Sequence, residues 1–195
     1  MRLVASDRVH VRVPSICAWA VIAGLLAGCS RTGGTTEVSP SENASPRTTE
    51  RPSTYEATFP GPTKKGLERV PTDAGVLETH SETYAGPQGS CNVMWTDYPD
   101  AWVRRKTPRG LLLGAADGAA RASRATIESK RETTFDGHAA LEFVAKDPNE
   151  DAVYRSRAVL AGNRLFLLSV IGTQQGVDSA PFVAFERSFR LRPAR

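Results

Sequence analysis

The segment 164-RLFLLSVIG-172 decides how the rest of this chain can fold. In an extended strand its apolar side chains fall on both alternating faces: Leu165, Phe166, Leu167, Leu168, Val170 and Ile171. A strand that is apolar on both faces is covered on both sides, so we expect it at the centre of a sheet. Gly162 and Asn163 precede it directly and predict a hairpin turn from an antiparallel neighbour at residues 153–161.

Further strand signals lie on the N-terminal side of this pair. Asp136-Gly137 predicts a second hairpin, between strands at residues 125–135 and 138–146. The first half of the chain predicts a meander of extended pieces at residues 55–59, 67–70, 76–84 and 92–98. In the last of these, Val93 and Trp95 share one face, and Met94 and Tyr98 share the other.

Two helices complete the predicted secondary structure. Thr107 can cap the first helix and Pro108 fits its first turn. Apolar residues then recur at helical spacing: Leu111, Leu112, Ala115, Ala119 and Ala122. A shorter amphipathic helix is predicted near residues 179–187. The fold class that follows is α+β, a largely antiparallel sheet with helices packed on it.

Three glycines at residues 110, 114 and 118 are spaced four apart in the first helix. We expect close packing of this helix on its own sheet at these glycines. A dimerisation face of the small-xxx-small type is the alternative.

The C-terminal half resembles a known family. Its order is 136-DGHAALEF-143, an arginine-bearing strand, 162-GNRLF-166 and a terminal piece at residues 185–191. This order is similar to the second half of small PsbP-like domains. The resemblance covers roughly residues 54–195 and implies an α/β/α sandwich. Its motifs are turns and apolar positions, so it carries over no catalytic, metal-binding or cofactor-binding residue.

The N-terminus resembles the signal peptide of a bacterial lipoprotein. Arg2, Arg8 and Arg12 precede the uncharged stretch 16–27, which at about 1.5 Å per residue is too short to span a hydrocarbon core of about 30 Å. The sequence Leu26-Ala27-Gly28-Cys29 then matches a lipobox. The resemblance implies cleavage before Cys29 and attachment of diacylglycerol to its sulfur, with palmitate as a typical acyl chain.

Three regions therefore follow one another. Residues 1–28 are the predicted signal peptide, residues 29–53 the lipidated N-terminus and a linker, and residues 54–195 the globular domain. The linker is rich in Ser, Thr and Pro and has one large apolar residue, Val38, so we expect it to be disordered. As a flexible coil it would reach about 25–30 Å from the membrane.

Composition limits what the protein can do. The 195 residues carry 25 Lys+Arg against 21 Asp+Glu, and removal of residues 1–28 leaves 22 against 20. With Cys17 in the signal and Cys29 lipidated, only Cys91 remains, so no intramolecular disulfide can form and we expect Cys91 in the core. The mature chain has two histidines, His80 and His138, and no Gly-x-Ser-x-Gly motif.

Several charged groups are candidates for binding. Glu78, His80 and Glu82 alternate on one strand face and offer a weak divalent-metal signal, for which a solvated strand face is the alternative. The acidic segment 147–151 lacks EF-hand spacing and is expected to be a solvated loop. Two basic clusters could contact anionic lipid head groups or acidic glycans: Arg104, Arg105, Lys106 and Arg109, and then Arg187, Arg190, Arg192 and Arg195.

No catalytic motif, cofactor signature or metal site is predicted. We expect an exported, lipid-anchored, non-catalytic protein of the bacterial cell envelope that binds or helps assemble an envelope protein or lipid. Nucleic acid is not an expected partner. The alternative is a carrier of a small apolar ligand or lipid, in a pocket between sheet and helix where Ala115, Ala116 and Ala119 leave room.

Overall fold

The computed structural model describes residues 55–72 and 74–192. The strands are β1 (Tyr55–Glu56), β2 (Lys64–Thr72), β3 (Gly75–Gly86), β4 (Gly89–Asp97), β5 (Thr126–Phe135), β6 (His138–Asp147), β7 (Ala152–Ala161), β8 (Arg164–Gly172) and β9 (Arg190–Leu191). The helices are α1 (Asp100–Val103), α2 (Pro108–Ala122), α3 (Gln174–Val177) and α4 (Ala180–Ser188). The lipobox and the predicted linker lie outside the described residues.

Seven strands form one antiparallel sheet in the order β2-β3-β4-β8-β7-β6-β5. The prediction for residues 164–172 is confirmed, because β8 occupies the middle of the sheet and its residues 164–170 are all buried. The β2-β3-β4 meander and both C-terminal hairpins are also confirmed. The fold class is α+β, as the sequence predicted.

Alternation along β8 divides the core between the two faces of the sheet. Phe166 and Leu168 belong to a cluster with aromatic residues of the C-terminal segment, including Phe185 of α4. We call this side the α4 face. Leu165 and Leu167 belong to the cluster formed with α2, on what we call the α2 face.

Local sequence explains the turns and the helix start. Asp136 and Gly137 both have positive φ, +47° and +81°, as a two-residue type I′ hairpin requires. The Thr107 hydroxyl accepts a hydrogen bond from the Gly110 backbone N–H at 3.1 Å, and Pro108 stands at the start of α2, as predicted.

The prediction for residues 55–59 is wrong in extent and in partner. Only Tyr55–Glu56 is a strand, and it pairs with Arg190–Leu191 in a separate two-stranded sheet rather than joining the meander. The physical reason is long-range packing, because the buried Tyr55 ring lies 5.3 Å from Trp95 and 5.9 Å from Phe189 between ring centroids. A partner so distant along the chain leaves no signal in local periodicity.

Cys91 lies in the core, as predicted. It is fully buried on the α4 face and is a free thiol. Desolvation, together with the nearby Glu186 carboxylate, raises the pKa of the Cys91 thiol to about 12. The side chain therefore serves as a small apolar core residue.

The expectation of close packing on the sheet is wrong for Gly110 and Gly114, whereas Gly118 is buried. Gly110 is exposed, and a Cβ there would meet only the Thr107 hydroxyl of the helix cap. A Cβ placed at Gly114 would meet no atom within 4 Å. The geometry of α2 thus leaves Gly114 without a packing reason to be glycine.

We expect Gly114→Ala to raise the free energy of unfolding by about 1 kcal/mol, because alanine is the better helix former and has space. The melting temperature should rise by about 3 °C. The matched control is Gly137→Ala, which also has open space but a φ of +81° and should destabilise the protein. A shift from dimer to monomer on Gly114→Ala, seen by sedimentation, would instead support the dimerisation alternative.

Candidate functional site

A groove opens on the α4 face, between strands β5 to β8 and helix α4. Its volume is about 820 Å³, within the usual range for small-molecule sites. The apolar part of its wall is formed by Phe135, Val144, Leu168 and Val183. The charged part comes from Arg131, Glu142, Arg155, Arg157, Glu186, Arg187 and Arg190.

Strand register places two arginines on either side of one carboxylate. Arg131 of β5 and Arg157 of β7 are both direct cross-strand neighbours of Glu142 on β6. Arg157 donates from Nε and Nη2 to Glu142 Oε1 at 3.1 and 2.8 Å, and Arg131 Nη2 donates to Oε2. The Arg157 guanidinium also lies 4.7 Å from the centroid of the Phe135 ring. The cluster of Arg131, Glu142 and Arg157 therefore has a net charge of +1 and lies against the Phe135 ring.

The environment of Glu142 sets its ionisation. Desolvation opposes the charged form, but hydrogen bonds from Arg157 and Arg131 outweigh it and lower the pKa of Glu142. The Glu142 side chain is 26% exposed, close to the 24% of Arg157. The carboxylate stays ionised at neutral pH and holds both guanidinium groups in place.

A second network closes one side of the groove. Arg155 binds both carboxylate oxygens of Glu186 at 2.8 Å, Asp178 Oδ1 at 2.7 Å and the Val177 carbonyl oxygen at 2.5 Å. The hydrogen bond to Glu186 is the main reason that the pKa of Arg155 is raised. All three guanidinium nitrogens are used, so Arg155 fastens α3 and α4 to β7.

The two remaining arginines of the groove wall, Arg187 and Arg190, are less neutralised. The Lys130 side chain lies on the opposite face of the sheet, where it pairs with Asp117 of α2 at 2.6 Å. Arg190 Nη1 donates to the backbone carbonyls of Arg187 and Phe189. Within residues 55–72 and 74–192, no carboxylate pairs with Arg187 or Arg190. The groove wall is therefore positively charged overall.

The three candidate metal ligands, Glu78, His80 and Glu82, are not assembled as a site. Glu78 pairs with Arg69 at 3.0 Å, and the Glu82 carboxylate accepts hydrogen bonds from Tyr55 and Thr63 at 2.7 Å. His80 stacks on Trp95 with 5.1 Å between ring centroids. Among the described residues, no three His, Cys, Asp or Glu side chains lie close enough to hold a metal ion together.

The other candidates, His138 and the acidic segment 147–151, both lie beside turns. His138 begins β6 directly after the hairpin turn and is half-buried. In the acidic loop, Asp147 is buried and accepts a hydrogen bond from the Asn149 N–H at 2.8 Å. That bond stabilises the turn between β6 and β7.

The two basic clusters have different locations. In the first, Lys106 lies over the Trp102 ring at 5.2 Å and Arg109 pairs with Glu132 at 2.6 Å. In the second, Arg187 and Arg190 reach the groove, whereas Arg192 pairs with Glu56 and Arg195 lies outside the described residues. Half of the second predicted cluster thus belongs to the candidate site.

The pocket expected beneath α2 is not the groove. Ala115, Ala116 and Ala119 are at most 8% exposed and pack into the α2-face core. Close packing fills the space that these three side chains were expected to leave. A cavity of about 320 Å³ does lie between the start of α2 and strands β5 and β6, but the three alanines do not line it. The groove lies on the opposite face of the sheet, beside α4.

The sequence patterns did not predict the two ion networks, which centre on Glu142 and on Arg155. Arg155 and Arg157 alternate within an otherwise buried strand, and that unusual placement was the available signal. Their carboxylate partners lie on other elements, so the pairing is visible only in the folded chain.

We expect Glu142→Gln to lower the free energy of unfolding by about 1 kcal/mol at pH 7, because two guanidinium groups lose their shared carboxylate. Since the pKa of Glu142 is lowered by folding, its contribution is present above its ordinary pKa and is lost as the pH falls through the folded value. The denaturation curves of the wild-type and Glu142→Gln proteins should therefore differ at pH 7 and converge in strong acid.

Glu132→Gln is the matched control for this substitution. Glu132 is 54% exposed and pairs with the exposed Arg109, so its loss should cost less than about 0.5 kcal/mol. If Glu142→Gln lowered the free energy of unfolding equally at pH 7 and in strong acid, the assigned role of the carboxylate would be contradicted.

Comparison with known proteins gives distant similarity only. No protein-family model and no curated protein matches the chain. The solution structure of the cyanobacterial PsbP protein from Synechocystis aligns with a TM-score of 0.48 and 12% identity over 71% of this chain and 86% of that one. A protein of unknown function from Pseudomonas aeruginosa, described as a putative regulator, aligns with a TM-score of 0.29 and 13% identity over 60% and 74%. At these values neither similarity assigns the chain to a family or a function.

Proposed function

We propose that this protein is a lipid-anchored, non-catalytic binding module of the bacterial cell envelope, and that the groove on its α4 face is the binding surface. The lipobox supports the anchor, and the groove supports the binding role. The observation that carries the proposal is the combination of an apolar wall with five guanidinium groups in one concave surface.

The chemistry of the groove favours binding over catalysis. Its two carboxylates are engaged by arginines, and the two histidines of the mature chain are outside its wall. General acid–base or nucleophilic catalysis needs a group that can exchange a proton or attack a substrate near neutral pH. Arginine instead offers fixed charge and directed hydrogen bonds, which suit recognition of an anionic group.

The predicted anchor fits such a role. Two or three acyl chains on Cys29 would hold the protein on a membrane stably, because a single chain already gives marginal binding. The longest helix in residues 55–72 and 74–192 has 15 residues, and none of the described helices has the length and apolarity of a membrane span.

Photo-crosslinking from the groove tests the proposed function. A photoreactive residue is placed at Val183, which lines the groove, in the full-length protein expressed in its own host. The matched control places it at Ala184, the next residue of α4, which is exposed and outside the groove wall. We expect a reproducible envelope product from position 183 only. Equal products from both positions, or none from position 183, would refute the groove as the binding surface.

A further inference from the structure

Resting on the proposed function, we infer that the groove binds an amphiphile with an acidic head, a phosphate or carboxylate, and an apolar tail. The head would lie against the arginines and the tail against the apolar wall. A membrane phospholipid and a free acyl acid or phosphate share this chemistry.

The groove wall carries more positive than negative charge. Arg131 and Arg157 share one carboxylate, and no carboxylate pairs with Arg187 or Arg190 within the described ranges. Arg131 is 74% exposed, so its guanidinium is accessible from the groove mouth. An acidic head supplies the negative charge that these groups lack, and guanidinium binds phosphate and carboxylate through paired hydrogen bonds.

The groove offers more hydrogen-bond donors than acceptors. The arginines present only donors, and both carboxylates already accept from arginine. The buried Ser156 hydroxyl is hydrogen-bonded to Ser169 at 2.9 Å, so the exposed Ser129 hydroxyl is the remaining side-chain acceptor of the wall. A peptide backbone would need acceptors for its N–H groups as well as donors for its carbonyls. A phosphate or carboxylate needs donors only, so the groove suits an acidic head better than a peptide.

The groove also has an apolar wall. Phe135, Val144, Leu168 and Val183 contribute aromatic and aliphatic surface to the same concavity. A free inorganic anion would gain nothing from these side chains, whereas a hydrocarbon tail is stabilised by leaving water. The charged part of the wall therefore suits an acidic head, and the apolar part suits a hydrocarbon tail.

The test compares four small probes that form no micelles at the concentrations used: hexyl phosphate, hexanoate, inorganic phosphate and hexanol. The full-length protein is held in vesicles of neutral phosphatidylcholine, and binding is measured by calorimetry with empty vesicles subtracted. We expect hexyl phosphate and hexanoate to bind at least about tenfold more tightly than phosphate or hexanol. Affinity that is no greater for the two-part probes would overturn the inference.

Substitutions locate the binding. Arg187→Gln breaks no ion pair among the described residues and should weaken hexyl phosphate binding severalfold, as should Arg157→Gln. The matched control is Arg121→Gln on α2, an exposed arginine outside the groove wall, which should leave binding unchanged. Equal binding by the Arg187→Gln and Arg121→Gln proteins would overturn the inference even if Arg157→Gln does not fold.

The two proposals fail in different ways. A protein product crosslinked from position 183, with no preference for hexyl phosphate, would overturn the amphiphile and leave the binding module standing. Loss of the position-183 product would refute the proposed function itself. Mass spectrometry of an organic extract of the purified protein distinguishes the two sources, since a phospholipid and a free acid differ in mass.

Discussion

Replacing Phe166 by alanine is expected to lower the free energy of unfolding by about 3–5 kcal/mol. Phe166 is 1% exposed and lies on β8, the central strand of the sheet. Its ring packs edge-on against Tyr55 and Phe189, at 6.1 and 6.2 Å between centroids. Truncation removes the transfer free energy of the ring and leaves a cavity that the surrounding strands cannot close. Since domains are stable by only about 5–15 kcal/mol, a large part of the stability would be lost.

Chemical denaturation measures this loss as a lower midpoint with an unchanged slope. The matched control is Leu67→Ala, because Leu67, His80, Trp95 and Phe166 form one cross-strand row on the α4 face. Leu67 is 58% exposed on the edge strand β2, so its truncation should change stability by less than about 0.5 kcal/mol. Similar penalties at the two positions would contradict the assignment of β8 as the core strand.

Replacing Cys29 by alanine is expected to abolish lipid attachment completely, because no other atom of the lipobox can form the thioether. Metabolic labelling with palmitate should mark the wild-type protein and leave the Cys29→Ala protein unlabelled. The variant should also move from the membrane fraction to the soluble fraction, since each buried methylene of the lost chains contributes about 0.8 kcal/mol to membrane binding.

Cys17→Ala is the matched control for the anchor. Cys17 lies in the predicted signal, twelve residues before Cys29, and would be absent from the mature protein. Its replacement should leave both labelling and membrane association unchanged. Palmitate incorporation into the Cys29→Ala protein would show that the lipobox interpretation is wrong, whether or not the signal is cleaved.

Sequence patterns predicted the parts of this fold that depend on neighbours along the chain. The two-sided apolar run at residues 164–172 predicted the central strand, and Asp136-Gly137 predicted a turn that needs two positive φ angles. The alternation of apolar residues in the strands, the residue types in the turns and the Thr107 cap all depend on residues close together in the sequence. Each could therefore be predicted from the sequence alone. The β1–β9 pair was not predicted, because the strand partner of Tyr55 is Leu191, more than a hundred residues away.

The candidate site depended on information that local patterns do not hold. Arg131, Glu142 and Arg157 become neighbours only through the register of three strands, and Glu186 reaches Arg155 from a separate helix. The sequence did indicate Arg187 and Arg190 as a basic cluster. It placed the expected pocket beneath α2 because small side chains suggest space, whereas close packing removes that space in the folded core.

The most direct test of the groove as the binding surface is amide hydrogen exchange of the protein in its own membranes, compared with the purified protein freed of bound molecules. We expect slower exchange in the membranes for the segments that form the groove, residues 129–135 of β5 and 183–187 of α4, with α2 unchanged. Protection confined to α2, or no difference in the groove segments, would contradict it.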